Sequence, residues 1–304
     1  MAGLRVARRG DRRAPHKPLL LLLAVGALVR GRDAIRYAEV ADRLEALLLA
    51  FAPPVAGRPE PRLPWWHLRS DGLWSIEGDS PIELDAKGFP RKGWLERTRG
   101  SLAPAFAERL RRAPGLVQRV VSTLLEDHFP ASVHGSLLAL TGADRLAPVA
   151  GVADVVAGIP VTSVSPPLRR PRDPAFRTAV LEAYGHRCAV TGLGVVLDGV
   201  AAACEAAHVR WHAFDGPDDA SNGLCLEPTL HALLDRGAWT LSDDRRVLVS
   251  SRLGGDDEAS VRLRARHGQP ISAPAGAPAL DVECIRWHRE PDRGGVFRWP
   301  PVED

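Results

Sequence analysis

Lysine is scarce in this sequence: Lys17, Lys87 and Lys92 are the only three among 40 basic side chains. Arginine therefore carries nearly all the positive charge. Such a bias follows from GC-rich coding as readily as from function, so arginine number alone names no partner. What arginine adds is a planar fork suited to phosphates and guanine edges. Cysteine is also scarce, with Cys188, Cys204, Cys225 and Cys284 and no C-x-x-C pair. That excludes a disulfide framework and argues against structural zinc; free thiols in a reducing cytoplasm are expected. There is no long hydrophobic run. The longest, Leu19–Leu28 (LLLLLAVGAL), is too short to span a bilayer and has no small-residue cleavage site after it. No membrane association is expected, and the run reads as a buried helix. Nor is charge of one sign in excess, because the formal net charge is only +3.

What is present is a two-domain chain. Its 304 residues, 45% hydrophobic and 25% charged, suit about two globular domains and exclude a largely disordered protein. Prolines 160, 166, 167, 171 and 174 rule out a helix there and mark an extended linker. The expected boundaries are a first domain at 1–155, a linker at 156–173 and a second domain at 174–304. Residues 1–155 carry 23 Lys/Arg against 17 Asp/Glu, and residues 156–304 carry 17 against 20. The two parts are thus +6 and −3, an asymmetry of the kind that marks a nucleic-acid-binding half.

In the first half, His16–Arg30 is apolar on nearly every side. Tyr37–Phe51 places Val40, Leu44, Leu47 and Leu48 on one helical face. Helices are also expected at Pro104–Arg112 and Pro114–Phe129. Residues 63–77 (LPWWHLRSDGLWSIE) read as a β-hairpin turning at Asp71-Gly72. Helices plus one hairpin predict an α-rich, winged-helix-like domain. Positive charge is densest from Lys87 to Arg119, with nine basic residues against Glu96 and Glu108. Within it, Gly88-Phe89-Pro90-Arg91-Lys92-Gly93-Trp94 interleaves aromatics, glycines and bases, as a loop approaching a nucleic-acid backbone can. Arg5, Arg8, Arg9, Arg12 and Arg13 make a basic N-terminal arm.

The second half predicts a helix from Pro174 to Tyr184, a strand over Gly199–Val209, a polar loop from Phe214 to Gly223, a short helix from Thr229 and a hairpin at Ala238–Ser251. His208, Asn222 and His231 fall on the strand end, the loop end and the short helix, at spacings of 14 and 9. A neutral imidazole at a strand end can take a proton from water. A histidine on the facing helix can hold a divalent cation that stabilises a pentacovalent phosphate. An amide between them can fix the loop through backbone hydrogen bonds. The surrounding residues, CEAAHVRW, then NGLCL, then LHALLDRG, closely resemble the HNH nuclease family with its ββα-metal fold. That resemblance implies His208 as general base, Asn222 as loop organiser and His231 as metal ligand, with Mg²⁺ or Mn²⁺ as cofactor. Many members carry an Asp or His immediately before the base, where this chain has Ala207. Asp235, one turn beyond His231, and Glu205 are the candidate replacements, although strand alternation turns Glu205 away from His208.

In the first half, APHKPLLL, PWWHLRSDGLW and GFPRKGW, joined to an HNH domain, resemble the sulfur-binding domain of McrA-like type IV restriction endonucleases. The resemblance implies an α+β chain that binds phosphorothioate-modified double-stranded DNA and cuts nearby. Sulfur is softer and less strongly hydrated than oxygen, so an apolar cup would favour it. Phe89, Pro90 and Gly93 would form that cup, with His16, Lys17, Arg91 and Lys92 supplying charge. An aromatic hydroxyl is usual where Phe89 stands. Cutting two strands with one site per chain calls for a homodimer or two binding events. Two other functions fit the sequence: an HNH nuclease reading another mark such as methylcytosine, with Trp65, Trp66 and Trp74 as a base pocket, or a non-catalytic DNA-binding protein with a degenerate HNH site.

Overall fold

The computed structural model describes residues 8–9, 12–13, 15–54, 57–144, 174–293 and 295–303. Residues 156–173, the expected linker, lie outside these, as does Arg5. The chain divides into two compact units, one built on residues 15–52 and 57–144, the other on residues 174–293 and 295–303 with the short stretches 8–9, 12–13 and 53–54. In the N-terminal arm, β1 (Arg8–Arg9) pairs antiparallel with β2 (Arg12–Arg13). No helix among the described residues is long and apolar enough to cross a membrane.

The first unit is built around α1 (His16–Val29), in which every residue from Pro18 to Ala27 is buried. A helix apolar on all sides must be an inner one. Pro18 falls in its first turn, where the missing N–H costs nothing. The chain continues through β3 (Ala34–Arg36), α2 (Tyr37–Phe51), α3 (Arg62–His67), β4 (Trp74–Glu77), α4 (Lys92–Glu96), β5 (Arg99–Leu102), α5 (Pro104–Arg112), α6 (Pro114–His128) and α7 (His134–Thr141). Helices α2, α3, α6 and α7 all pack on α1. As expected, α2 buries Val40, Leu44, Leu47 and Leu48 along one stripe. Helices α5 and α6 each begin with a proline at the first helical position.

The predicted hairpin at 63–77 does not form. Residues 62–67 are helical, a 3₁₀ turn covers Leu68–Asp71, and only Trp74–Glu77 is a strand. Gly72 ends the turn in the left-handed conformation at φ 70°. Strand β4 finds its partner 25 residues later, in the antiparallel order β3-β5-β4, with Trp74 opposite Leu102. A six-residue helix and a short strand share too few residues for periodicity to separate them. Packing decides it: Trp65 is fully buried and meets Tyr37 at 5.2 Å and Trp74 at 5.0 Å, both edge-to-face. Gly100 on β5 makes this possible, since a Cβ there would lie 2.1 Å from the Trp74 ring and 2.8 Å from Trp65.

The second unit runs α8 (Pro174–Ala183), a small ribbon of β6 (Val196–Leu197) and β7 (Val200–Ala201), β8 (Glu205–His208), β9 (Gly223–Leu226), α9 (Pro228–Asp235), β10 (Trp239–Leu241), β11 (Val247–Val249), α10 (Glu258–Arg264) and α11 (Val282–Arg289). The expected Gly199–Val209 strand is therefore two strands, broken at residues 202–204. Strands β8 and β9 pair antiparallel with His208 opposite Gly223, and α9 packs back on β8 to complete a ββα unit. Helix α11 carries a histidine that ties this unit together. His288 is fully buried, donates from Nε2 to the Leu234 carbonyl at 3.1 Å and accepts at Nδ1 from the Thr240 hydroxyl at 2.8 Å. It thereby ties α11 to α9 and β10, and burial pushes its pKa down to about 4.

Candidate functional site

The ββα unit positions His208, Asn222 and His231 by distinct means. Asn222 is completely buried at the end of the polar loop. Its Oδ1 accepts from the Arg210 N–H at 2.8 Å, and its Nδ2 donates to the carbonyls of Arg210 and Pro217, both at 3.0 Å. The side chain staples the start of the loop to its end and to the exit of β8.

His208 ends β8 on the face covered by α8. The Phe176 ring stacks on it at 3.8 Å with planes 13° apart. Gly223 leaves room for that approach, because a Cβ there would lie 2.2 Å from Val180. His208 Nε2 lies 2.8 Å from Asp218 Oδ1, a carboxylate only 5% exposed. The second Asp218 oxygen lies 3.5 Å from His212 Nε2. Asp218, His212 and Phe176 were not among the expected site residues. Asp218 is visible in the sequence only as one acid in an Asp-rich loop, so nothing local singles it out.

His231 lies on α9 with both expected carboxylates. Its Nδ1 is 2.9 Å from Glu205 Oε2 and its Nε2 is 3.2 Å from Asp235 Oδ2. Burial alone would lower its pKa, but hydrogen bonds and charge from Asp235 and Glu205 outweigh this and raise it to about 9. Glu205 is held below the usual carboxylate range by the His231 hydrogen bond. Strand alternation is visible here: His208 goes to Asp218, Glu205 goes to His231, and Ala207 between them is buried. Among the described residues no group of three or more His, Cys, Asp or Glu side chains is arranged to hold a metal ion. The oxygen and imidazole donors around His231 are the kind Mg²⁺ or Mn²⁺ accepts, but both ring nitrogens already carry a carboxylate. Cys188, Cys225 and Cys284 are buried, and burial pushes the thiols of Cys225 and Cys284 up to about 12.

In the first unit, a second set of expected residues gathers around α3 and its 3₁₀ turn. Lys17, at the start of α1, reaches Asp71 at 2.7 Å; the lysine side chain is 14% exposed and the carboxylate not at all. His67, the last residue of α3, sits edge-on to Phe89 at 5.6 Å, and the Arg62 guanidinium lies 5.6 Å from the same ring. His67 also feels Lys17: burial first, then the Lys17 and Arg69 charges, lower its pKa. His16 beside Lys17 is partly buried, which lowers its pKa as well. The loop bearing Phe89 is preorganised. Asp85 Oδ1 accepts from the Lys87 and Phe89 N–H groups at 2.9 and 3.0 Å, and the Asp85 N–H donates to the Phe89 carbonyl at 2.7 Å. Phe89 is half-buried and Pro90 buried, whereas Arg91, Lys92 and Gly93 are exposed. Arg91 Nε donates to the Leu84 carbonyl at 3.4 Å, and Lys92 lies 3.8 Å from Glu96. His67 and Asp71 were missed by the sequence reading because their partners lie 22 and 54 residues away. The suggested tryptophan pocket does not form: Trp65 and Trp74 are core, and Trp66 lies beneath the Arg69 guanidinium at 3.4 Å.

Comparison with known proteins adds two domain matches. The family described as "ScoMcrA-like, DNA sulfur-binding domain" matches residues 1–146, and the family described as "HNH endonuclease" matches residues 188–242. Among solved structures, the chain is similar to the sulfur-binding domain of ScoMcrA complexed with phosphorothioated DNA. Identity is 26% over 47% of this chain and 92% of that one, with a TM-score of 0.42. The sulfur-binding domain of SprMcrA, also complexed with phosphorothioated DNA, gives 28% over 48% and 91%, with a TM-score of 0.39. The modification-dependent TagI restriction endonuclease gives 28% over 39% of this chain and 37% of that one, with a TM-score of 0.31. No curated protein matches the chain.

Proposed function

From a chain that carries a ScoMcrA-like DNA sulfur-binding domain followed by an HNH endonuclease domain, we propose a type IV restriction endonuclease that recognises phosphorothioate-modified DNA and hydrolyses a phosphodiester bond near the mark. The observation that carries the hydrolytic half is the pairing of His208 with the buried Asp218 at the end of β8. A buried carboxylate beside Nε2 orients the ring and stabilises the imidazolium that forms when His208 takes a proton from water. Phe176 holds the ring plane and Asn222 holds the loop that delivers Asp218. HNH endonuclease domains generally use a divalent metal. Glu205, His231 and Asp235 are the residues that would hold Mg²⁺ or Mn²⁺, and binding must replace at least one His231 hydrogen bond. When bound, the ion supplies charge stabilisation to the phosphorane and the leaving 3′-oxygen.

In the reading half, the half-buried Phe89 ring forms the apolar wall, backed by Pro90 and braced by His67. Lys17 is held by Asp71 rather than left as a free cation, so the site attracts a hard phosphate oxygen less than an unpaired lysine would. That balance suits sulfur. His16, Arg91, Lys92 and the open backbone at Gly93 make the flanking DNA contacts. The homodimer expected from the need to cut two strands has no support in the comparisons. The test is cleavage of matched phosphorothioate and plain duplexes with Mg²⁺, with Mn²⁺ and with chelator. Cation-dependent cutting of the modified duplex alone is expected. Equal cutting of both would sink the sulfur reading and spare the nuclease. Selective binding with no cutting under any cation would favour a degenerate HNH site, a reading that Ala207 and the doubly engaged His231 keep in view.

A further inference from the structure

Three arginines of the first unit take no part in the sulfur site described above. Arg32 follows α1, Arg36 closes β3 and Arg99 opens β5. With Ala34 and Glu39 they line an open cleft of about 390 Å³. The β3–β5 register sets Arg36 directly opposite Arg99. Like charges directly opposed across a sheet destabilise it, so this pairing calls for an anion. Glu39 meets part of that need. One of its oxygens lies 2.6 Å from Arg32 Nη2 and the other 3.8 Å from Arg36 Nε. Arg99 forms no ion pair among the described residues, although Glu77 of β4 lies opposite it on the other side. Three guanidiniums against one carboxylate leave the cleft walls at +2.

We propose that this cleft seats a backbone phosphate of the bound DNA between Arg36 and Arg99. The proposal rests on the reading of the first unit as a DNA binder, and charge complementarity selects the occupant. A phosphodiester is a monoanion with two free oxygens, which suits two guanidiniums facing each other across a strand pair. The cleft is open and polar, so it can admit a continuous strand, and its volume leaves room for the flanking sugars. Every strand of DNA offers this contact, so the cleft contributes affinity and register without discriminating sulfur from oxygen.

The test uses the full chain, with Arg99→Gln and Arg36→Gln compared with wild type and Phe89→Ala. Dissociation constants for matched phosphorothioate and plain duplexes are measured across a salt series. Each arginine variant is expected to weaken both duplexes by the same factor, about 3- to 10-fold. Each should also reduce the slope of log K against log salt by about one. The ratio between the two duplexes stays at the wild-type value, and thermal stability does not fall, because an opposed like charge has been removed. Phe89→Ala should do the reverse, shrinking the ratio and leaving the slope. Unchanged affinity and slope in both arginine variants would overturn the cleft. So would a loss confined to the modified duplex, which would place these arginines in sulfur recognition. If wild type binds both duplexes equally, the sulfur reading fails while the slope still decides the cleft; if it binds neither, both fail.

Discussion

The two units handle charge in opposite ways. In the first, arginines face outward from a small sheet and short helices, and Arg36 and Arg99 are set against each other across two strands. In the second, the ionisable groups of the ββα unit are turned inward on one another: His208 on Asp218, His231 on Glu205 and Asp235. A surface meant for a polyanion can leave like charges opposed, because the ligand relieves them. On the function proposed above, a hydrolytic site must fix protonation state and orientation before substrate arrives, and these histidines carry their own partners. The aromatics differ in the same sense. Trp65 and Trp74 build the first unit's interior, whereas Phe176 is placed against the imidazole it orients.

Four measurements bear on that contrast. The largest effect belongs to the first unit's core. Trp65→Ala should destabilise that unit by about 4 kcal/mol, read by chemical denaturation. If Trp65 instead received a flipped base, stability would hold and only binding of a methylated duplex would fall. In the second unit, Asn222→Ala removes three buried hydrogen bonds and leaves their backbone partners unsatisfied. A loss of about 3 kcal/mol is expected, together with loss of cleavage. A fully stable Asn222→Ala would deny it the loop-organising role.

Acid should also act on the second unit. The buried His288 has a folded pKa of about 4, against an ordinary value of 6.5. Its contribution is therefore complete above pH 6.5 and is lost as pH falls towards 4, to a total of about 3 kcal/mol. Melting curves from pH 7 to 4 should show this decline, and a His288→Gln variant that still folds should show a flatter one. Equal slopes would remove His288 as the cause. Smallest in free energy is Asp218→Asn, which keeps the shape but not the charge on His208 Nε2. Cleavage should fall about 100-fold with little change in stability. An unchanged rate would leave Asp218 with no part in orienting the base.

Much of this was legible in the sequence. The all-apolar His16–Arg30 stretch, the Tyr37–Phe51 stripe and the prolines opening α5 and α6 are local signals, and local signals suffice for helices. The order strand, polar loop, short helix around His208, Asn222 and His231 was equally readable. So was the turn of Glu205 away from His208, which follows from a period of two. The second strand, Gly223–Leu226, was not, because four residues show too little periodicity. What else failed was non-local. Trp65-Trp66 reads as strand because it is aromatic, and becomes helix because Tyr37 and Gly100 offer a place for the Trp65 ring. Strand β4 pairs with β5, beyond α4, rather than across Asp71-Gly72. Asp71 and Asp218 acquire their roles only when folding brings them to Lys17 and His208, and an acidic residue among other acids carries no mark of its eventual partner.

On the proposed function, reading and cutting reside in separate sites on one chain. The direct measurement is binding and cleavage of the same matched duplexes, phosphorothioate and plain, by His208→Ala and Phe89→Ala side by side. His208→Ala should keep full preference for the modified duplex and lose at least 100-fold in cutting. Phe89→Ala should lose the preference and, at saturating DNA, still cut. Loss of both properties together in either variant, with the protein folded, would contradict the account.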